Sequence, residues 1–200
     1  MTLTSQIVAV NKMLRGAGFR STSTLSGSLP REVSAAQAIL DEETTALQAR
    51  GWLFNTEKAV KYSPDPVTGE ITLATTVISV DGSKTRRENV GLDLLQRGQV
   101  LFDRAGGTRV FTKAVYLDVT KRLDWDELPE YFKAYVMVRS ARIFADTFVG
   151  TNTKHHYKLA DETQAKKECL RQDTKNRDTR IQNLPAVDNR TAPLDQGIRH

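Results

Sequence analysis

The sequence predicts an α+β fold: an antiparallel helical bundle with an inserted antiparallel β-sheet and an extended C-terminal arm. Three observations carry that expectation. Apolar residues recur at helical spacing up to Arg50. From Trp52 to Leu123 they change to short β-branched and aromatic runs broken by turn residues. Helical spacing then returns at Leu128 in a segment that is apolar on nearly every side. The resulting boundaries are 1–50 and 128–178 for the bundle, 51–127 for the β insertion and 179–200 for the arm. A chain of 200 residues, 39% apolar and 26% charged, is large enough to bury a core and has an ordinary globular composition.

In the first helix Leu3, Ile7, Val10 and Leu14 share one face, Thr4 or Ser5 serves as cap, and Gly16 and Gly18 end it. A Ser/Thr-rich loop follows, and Pro30 suits the first turn of the second helix. That helix presents Ala36, Ile39, Leu40, Glu43, Ala46 and Leu47 and stops before Gly51, where a left-handed residue is wanted. Trp52 and Phe54 are then expected on one side of an extended segment, with Leu53 and Asn55 on the other. Val60, Tyr62, Ile71, Leu73, Val77, Ile78 and Val80 read as strand, punctuated by Pro64-Asp65-Pro66, Thr68-Gly69 and Asp81-Gly82. Val100-Leu101-Phe102 and Arg109-Val110-Phe111 are expected to pair across the glycine turn Ala105 to Thr108. Val115, Leu117 and Val119 alternate with polar residues, as in a strand with one buried face. The acidic run Asp124, Asp126, Glu127 and Glu130 suits a helix start. The helix beyond it, from Phe132 through Phe144 to Phe148, is expected at the centre of the bundle. Trp52, Phe54, Phe132, Phe144 and Phe148 are thus the expected core aromatics.

Beyond Gly150 a polar helix is expected from Asn152 or Thr153 to about Asp178, its apolar stripe reduced to Tyr157, Ala160, Cys169 and Leu170. Such a helix is solvent-bridging or waits for a partner, and the proline-containing arm after it cannot fold alone. Candidate docking residues are therefore Tyr157, Lys158, Lys166, Lys167, Leu170, Arg171, Arg177, Arg180 and Leu184.

Chemistry-bearing motifs are sparse. His155 and His156 are adjacent and diverge by about 100° on a helix, so they cannot share a metal. Cys169 is the single cysteine, which excludes an internal disulfide and a cysteine cage. No metalloprotease, nucleophile-elbow, Walker or dinucleotide motif occurs. No catalytic, metal or cofactor residue is assigned and the chain does not read as an enzyme. The net charge of +5 comes from 29 basic and 24 acidic residues, mostly interspersed, which argues against a dedicated nucleic-acid binder. No apolar run reaches the roughly 18 residues of a membrane span, and no secretory start is seen, so folding in a cytoplasm is expected.

Four blocks in order resemble the tail tubular protein A family, the head-to-tail adaptors of short-tailed bacteriophages. They are Ala9-Val10-Asn11-Lys12-Met13-Leu14 with Ser23-Thr24-Leu25-Ser26-Gly27, then Arg50-Gly51-Trp52-Leu53-Phe54-Asn55, then Val100-Leu101-Phe102-Asp103-Arg104 with Phe111, and finally Leu123-Asp124-Trp125-Asp126-Glu127-Leu128-Pro129-Glu130 with the helix ending Phe148-Val149-Gly150. The likeness spans about residues 7 to 150. It implies a structural virion protein of the phage tail, assembled in the host cytoplasm as a ring of twelve copies between the portal and the tail nozzle formed by tail tubular protein B. It also implies tail-fibre attachment near that junction and passage of genomic DNA through the lumen without sequence readout. The alternative from another class is a virion-associated glycan or peptidoglycan hydrolase, which would need a carboxylate pair in a cleft.

Overall fold

A computed structural model describes residues 4–148 and 159–182. The fold is α+β, and among the described residues it has four helices, α1 (Gln6–Gly16), α2 (Arg31–Gln48), α3 (Glu130–Phe148) and α4 (Leu159–Gln182), and five strands between α2 and α3. The strands are β1 (Thr56–Tyr62), β2 (Val77–Gly82), β3 (Leu94–Arg97), β4 (Val100–Asp103) and β5 (Val115–Lys121). Strand β5 is central in the antiparallel order β1-β5-β2, and β3 and β4 form a separate antiparallel hairpin.

Helix α3 touches each of the other three helices, as its apolar circumference requires. Its Phe132, Tyr135, Val136, Ala141 and Phe144 are buried together with Ala9, Val10, Met13 and Leu14 of α1 and Val33, Ala36, Leu40 and Leu47 of α2. Phe19, in the loop after α1, lies edge-on against Phe144 and Phe148, at centroid distances of 5.9 and 5.7 Å. A second apolar cluster holds the insertion together and includes Ile71, Val80, Leu94, Leu101, Phe111, Leu117 and Val119.

The joint between the two clusters lies at residues 47–55. Helix α2 ends at Gln48, and Gly51 takes φ 73, a left-handed value costly for residues with a Cβ. The extended segment expected after it is instead a short 3-10 turn, Leu53–Asn55. The turn still gathers Trp52 and Phe54, whose rings stack at 6.3 Å, and presents both to Phe132, at 5.4 and 4.9 Å. Two buried amides fasten the joint. Asn55 Oδ1 accepts the Trp52 amide (2.8 Å), and its Nδ2 donates to the carbonyls of Gln48 (3.0 Å) and Lys121 (2.9 Å). Gln48 forms a matching pair with the backbone of Leu123, at 3.0 and 2.8 Å. Buried groups of this kind are tolerable only when satisfied, and here they connect the end of α2 to the end of β5.

The insertion differs from expectation in two pairings. Asp81 and Gly82 are the last residues of β2, opposite Asp118 and Leu117, rather than a turn. Strand β4 forms its ladder with β3, through Gly98-Gln99, and meets the segment after the glycine turn only at Asp103↔Thr108. Val110 bridges to Glu70 instead, and Ile71 and Leu73 are held by backbone hydrogen bonds to Leu101 and Gln99 outside any named strand. The buried Asp103 carboxylate organises this region by accepting the amides of Asp93 (2.9 Å), Ala105 and Gly106 (both 3.1 Å). Arg104 clamps the same loop through Asp93, at 2.6 Å. The block Phe102-Asp103-Arg104 therefore has a local structural role.

Candidate assembly surface

Helix α4 has few apolar residues, yet it is fixed to the bundle at Glu162, Cys169 and Asp173. Arg139 and Arg142 lie one turn apart on α3, and Glu162 near the start of α4 fits between them. Its carboxylate accepts from Arg139 Nη1 at 2.7 Å and from Arg142 Nε at 2.6 Å. Arg139 also donates to Glu43 of α2, so one guanidinium ties three helices, while Arg142 reaches Asp146 at 2.8 Å. Burial alone would raise the Glu162 pKa, but the hydrogen bonds from Arg142 and Arg139 outweigh it and hold the carboxyl below its ordinary value. The Glu43 and Glu162 carboxylates, against the cost of burial, hold Arg139 in its charged form.

A second anchor lies two turns further on. Cys169 is fully buried, and burial with the nearby Asp173 charge pushes its thiol up to about 12. A thiol so raised is not a nucleophile near neutral pH. Asp173 accepts the Leu53 amide at 3.2 and 3.3 Å and the Tyr131 hydroxyl at 3.4 Å. Burial and then the Asp173 charge raise the Tyr131 phenol to about 12. Helix α4 thus holds the aromatic joint from outside. The expectation that it would be poorly anchored to its own bundle is corrected: charge-assisted hydrogen bonds stand where an apolar stripe is missing.

The expected docking residues fall into three groups. Lys166, Lys167, Leu170 and Arg171 project from the exposed side of α4, Leu170 with 47% of its surface accessible and Leu159 with 68%. Arg171 is already engaged by Glu168 at 2.6 and 2.8 Å, and that exposed carboxyl is held down at about 2. Arg177 and Arg180 belong to α4, but their side chains lie outside the described residues, as do Tyr157, Lys158 and Leu184. Among the expected core aromatics, Trp52, Phe132 and Phe144 are buried, whereas Phe54 and Phe148 are half-buried at the rim of the same cluster.

An open cleft of about 790 Å³ lies beside α4, lined by Trp52, Phe54, Glu57, Lys58, Asp173 and Thr174 among others. Its charged groups are engaged: Glu57 with Lys121 at 2.7 Å, Lys58 with Asp118 at 2.9 Å, and Asp173 with the groups above. Among the described residues no three His, Cys, Asp or Glu side chains are grouped to hold a metal, and no helix is long and apolar enough to cross a membrane. His155 and His156 lie outside the described residues. The chemistry on view is that of surfaces, polar ridges and shallow hollows over a firmly tied bundle.

The Glu162 knot gives a direct expectation. Glu162→Gln removes the charge that two guanidiniums share, each about a quarter exposed, and should cost about 1 to 3 kcal/mol after allowance for solvent screening. Because the folded-state pKa is depressed, this stabilisation is complete above the ordinary carboxylate range and disappears as pH falls through the lower folded value. Thermal melts between about pH 7 and pH 3 should converge for wild type and Glu162→Gln at the acid end. Curves that stay parallel throughout would contradict the assignment.

A family model described as tail tubular protein matches residues 7–179 of this chain. No curated protein matches it.

Proposed function

The chain belongs to the tail tubular protein family, a component of the bacteriophage tail, and from that premise we propose that it is the head-to-tail adaptor. In this reading copies of the chain form a ring, of twelve as the family resemblance implies, between portal and tail nozzle. Genomic DNA passes through the lumen, and tail fibres attach where adaptor and nozzle meet. The observation that carries the reading is the family match, which runs through both apolar clusters and into α4. The exposed residues of α4 support it: Leu159, Lys166, Lys167 and Leu170 stand beside the face fixed by Glu162, Cys169 and Asp173, a held ridge for a neighbour. Rigid presentation lowers the ordering cost of association.

Native mass spectrometry of the purified chain, alone and with its cognate portal rings, tests this. The chain alone should be monomeric or partly oligomeric, and with portal it should give a complex whose adaptor copy number matches the portal. A small stable oligomer that ignores the portal would remove the adaptor reading.

The arm, residues 179 to 200, is proposed to serve docking rather than folding, since Ile181, Leu184, Val187, Leu194 and Ile198 are scattered among polar residues and prolines. Its first four residues continue α4, which runs to Gln182 and not to about Asp178 as expected. Its deletion should leave the melting temperature of the isolated chain within a few degrees, as for loss of about 1 kcal/mol or less. It should weaken attachment to ring and portal in the same mass-spectrometric assay. Normal assembly of the truncated chain into infectious particles would reduce the arm to a dispensable tail.

A further inference from the structure

Opposite charges sit at the two ends of α1. Residues 1 to 30 contain Lys12, Arg15 and Arg20 and no carboxylate. All three cations are exposed and, among the described residues, none is in an ion pair. The loop that carries Arg20 is held against the helix. Asn11 Nδ2 donates to the Thr22 carbonyl at 2.9 Å, the Thr22 amide returns a bond to Asn11 Oδ1 at 2.7 Å, and Phe19 is seated on Phe144 and Phe148. Lys12 and Arg15, three residues apart on α1, share its exposed face near the C-terminal end, and Arg20 follows in the loop held there.

The N-terminal end meets the opposite sign. Gln6 Nε2 donates to Asp41 Oδ1 at 2.7 Å. From there Asp41 and Glu42 of α2, with Asp124 and Asp126 before α3, line two adjoining hollows that share Asp41 and Arg122. Arg122 is the one cation among the residues lining them, so four carboxylates against one guanidinium leave a formal charge of −3. Gln6 and Arg15 are nine residues apart on one helix, which separates the two surfaces by about 14 Å.

We propose that the basic α1 surface of one copy docks on the acidic α2 surface of the next copy, supplying part of the head-to-tail contact that closes the ring. The proposal rests on the ring reading above. A closed ring is built from two different, mutually complementary surfaces on each subunit. Here the two differ in sign, are offset along one helix, and sit on a tightly fastened bundle. Like-charge repulsion disfavours the head-to-head and tail-to-tail pairings, so the same charges set the direction of the ring. Three cations, whose one neighbouring aromatic, Phe19, is packed inward on Phe144 and Phe148, make a small footprint for nucleic acid, whereas an acidic surface is present on the chain itself.

Charge reversal with rescue tests this in the full-length chain on portal rings, read as the fraction of complete rings by native mass spectrometry. Lys12→Glu with Arg15→Glu should lower ring yield on the order of tenfold or more, and so should Glu42→Lys with Asp126→Lys. The variant carrying all four substitutions restores opposite signs and should regain most of the yield. Misfolding cannot imitate that rescue, because adding two substitutions does not repair a misfolded chain. Wild-type rings that tolerate either reversal would overturn the proposal while leaving the adaptor reading in place. Loss in both reversals without rescue would also overturn it, assigning the surfaces to other partners. So would a basic-surface reversal that weakens DNA binding while rings form normally. If wild type itself forms no ring on the portal, the adaptor reading fails and this contact fails with it.

Discussion

Trp52→Ala should lower the unfolding free energy by about 3 to 5 kcal/mol, the range for removing a large buried aromatic. Trp52 is 5% exposed, packs on Phe54 and Phe132, and donates Nε1–H to the Leu47 carbonyl at 2.7 Å. The Leu47 carbonyl keeps a second donor in the Arg50 amide, so most of the loss comes from the emptied space and not from an orphaned acceptor. Trp52→Phe separates the two contributions, since it keeps ring packing and should cost about 1 to 2 kcal/mol. Urea unfolding with an unchanged m-value measures both. A midpoint unmoved by Trp52→Ala would mean that the joint between helices and sheet is held by the amides of Asn55 and Gln48 alone.

Phe144→Ala should have an effect of the same size, about 3 to 5 kcal/mol, at the opposite end of the helical cluster. Phe144 is fully buried, with the Phe148 ring at 4.6 Å and the Phe19 ring at 5.9 Å. For a chain of this length the loss corresponds to a fall in melting temperature of about 6 to 20 °C. The cavity would also release Phe19, which seats the loop carrying Arg20. Amide exchange should therefore rise in the loop after α1 as well as in α3. A change below about 1 kcal/mol would show that this part of the bundle relaxes around the missing ring.

The helices were legible because their periodicity is local. The spacing in α1 and α2 finds Val10, Leu14, Ala36, Leu40 and Leu47 on the buried faces, but it also names Ala46, which is exposed, and Ile7 and Ile39, which are half-buried. Gly51 marks the end of α2 at its left-handed φ. Pairing within the insertion was less legible because it depends on distant strands. Asp81-Gly82 carries a turn signal in sequence, but registry with Asp118 and Leu117 of β5 overrides it. The alternation Trp52-Leu53-Phe54-Asn55 reads as strand, since the spacing i, i+2 does not distinguish a strand from one tight turn. The decisive residue was Asn55, whose buried amide needs three backbone partners that only the folded joint supplies.

At the candidate surface the outward residues Lys166, Lys167 and Leu170 could be named from the thin apolar stripe of α4. What fastens α4 could not. Arg139 and Arg142 are two charges on a largely apolar helix, and nothing in the sequence pairs them with Glu162, 23 and 20 residues away. Charged partners follow no period along the chain, so a helix held by ion pairs reads from sequence like one waiting for a neighbour.

Electron microscopy of the purified chain mixed with its cognate portal tests the adaptor reading most directly. An added ring should appear on one end of the portal, with the portal's rotational symmetry and with α4 at a subunit or portal contact. Portal particles that remain bare, beside a free chain in a small oligomer, would contradict it.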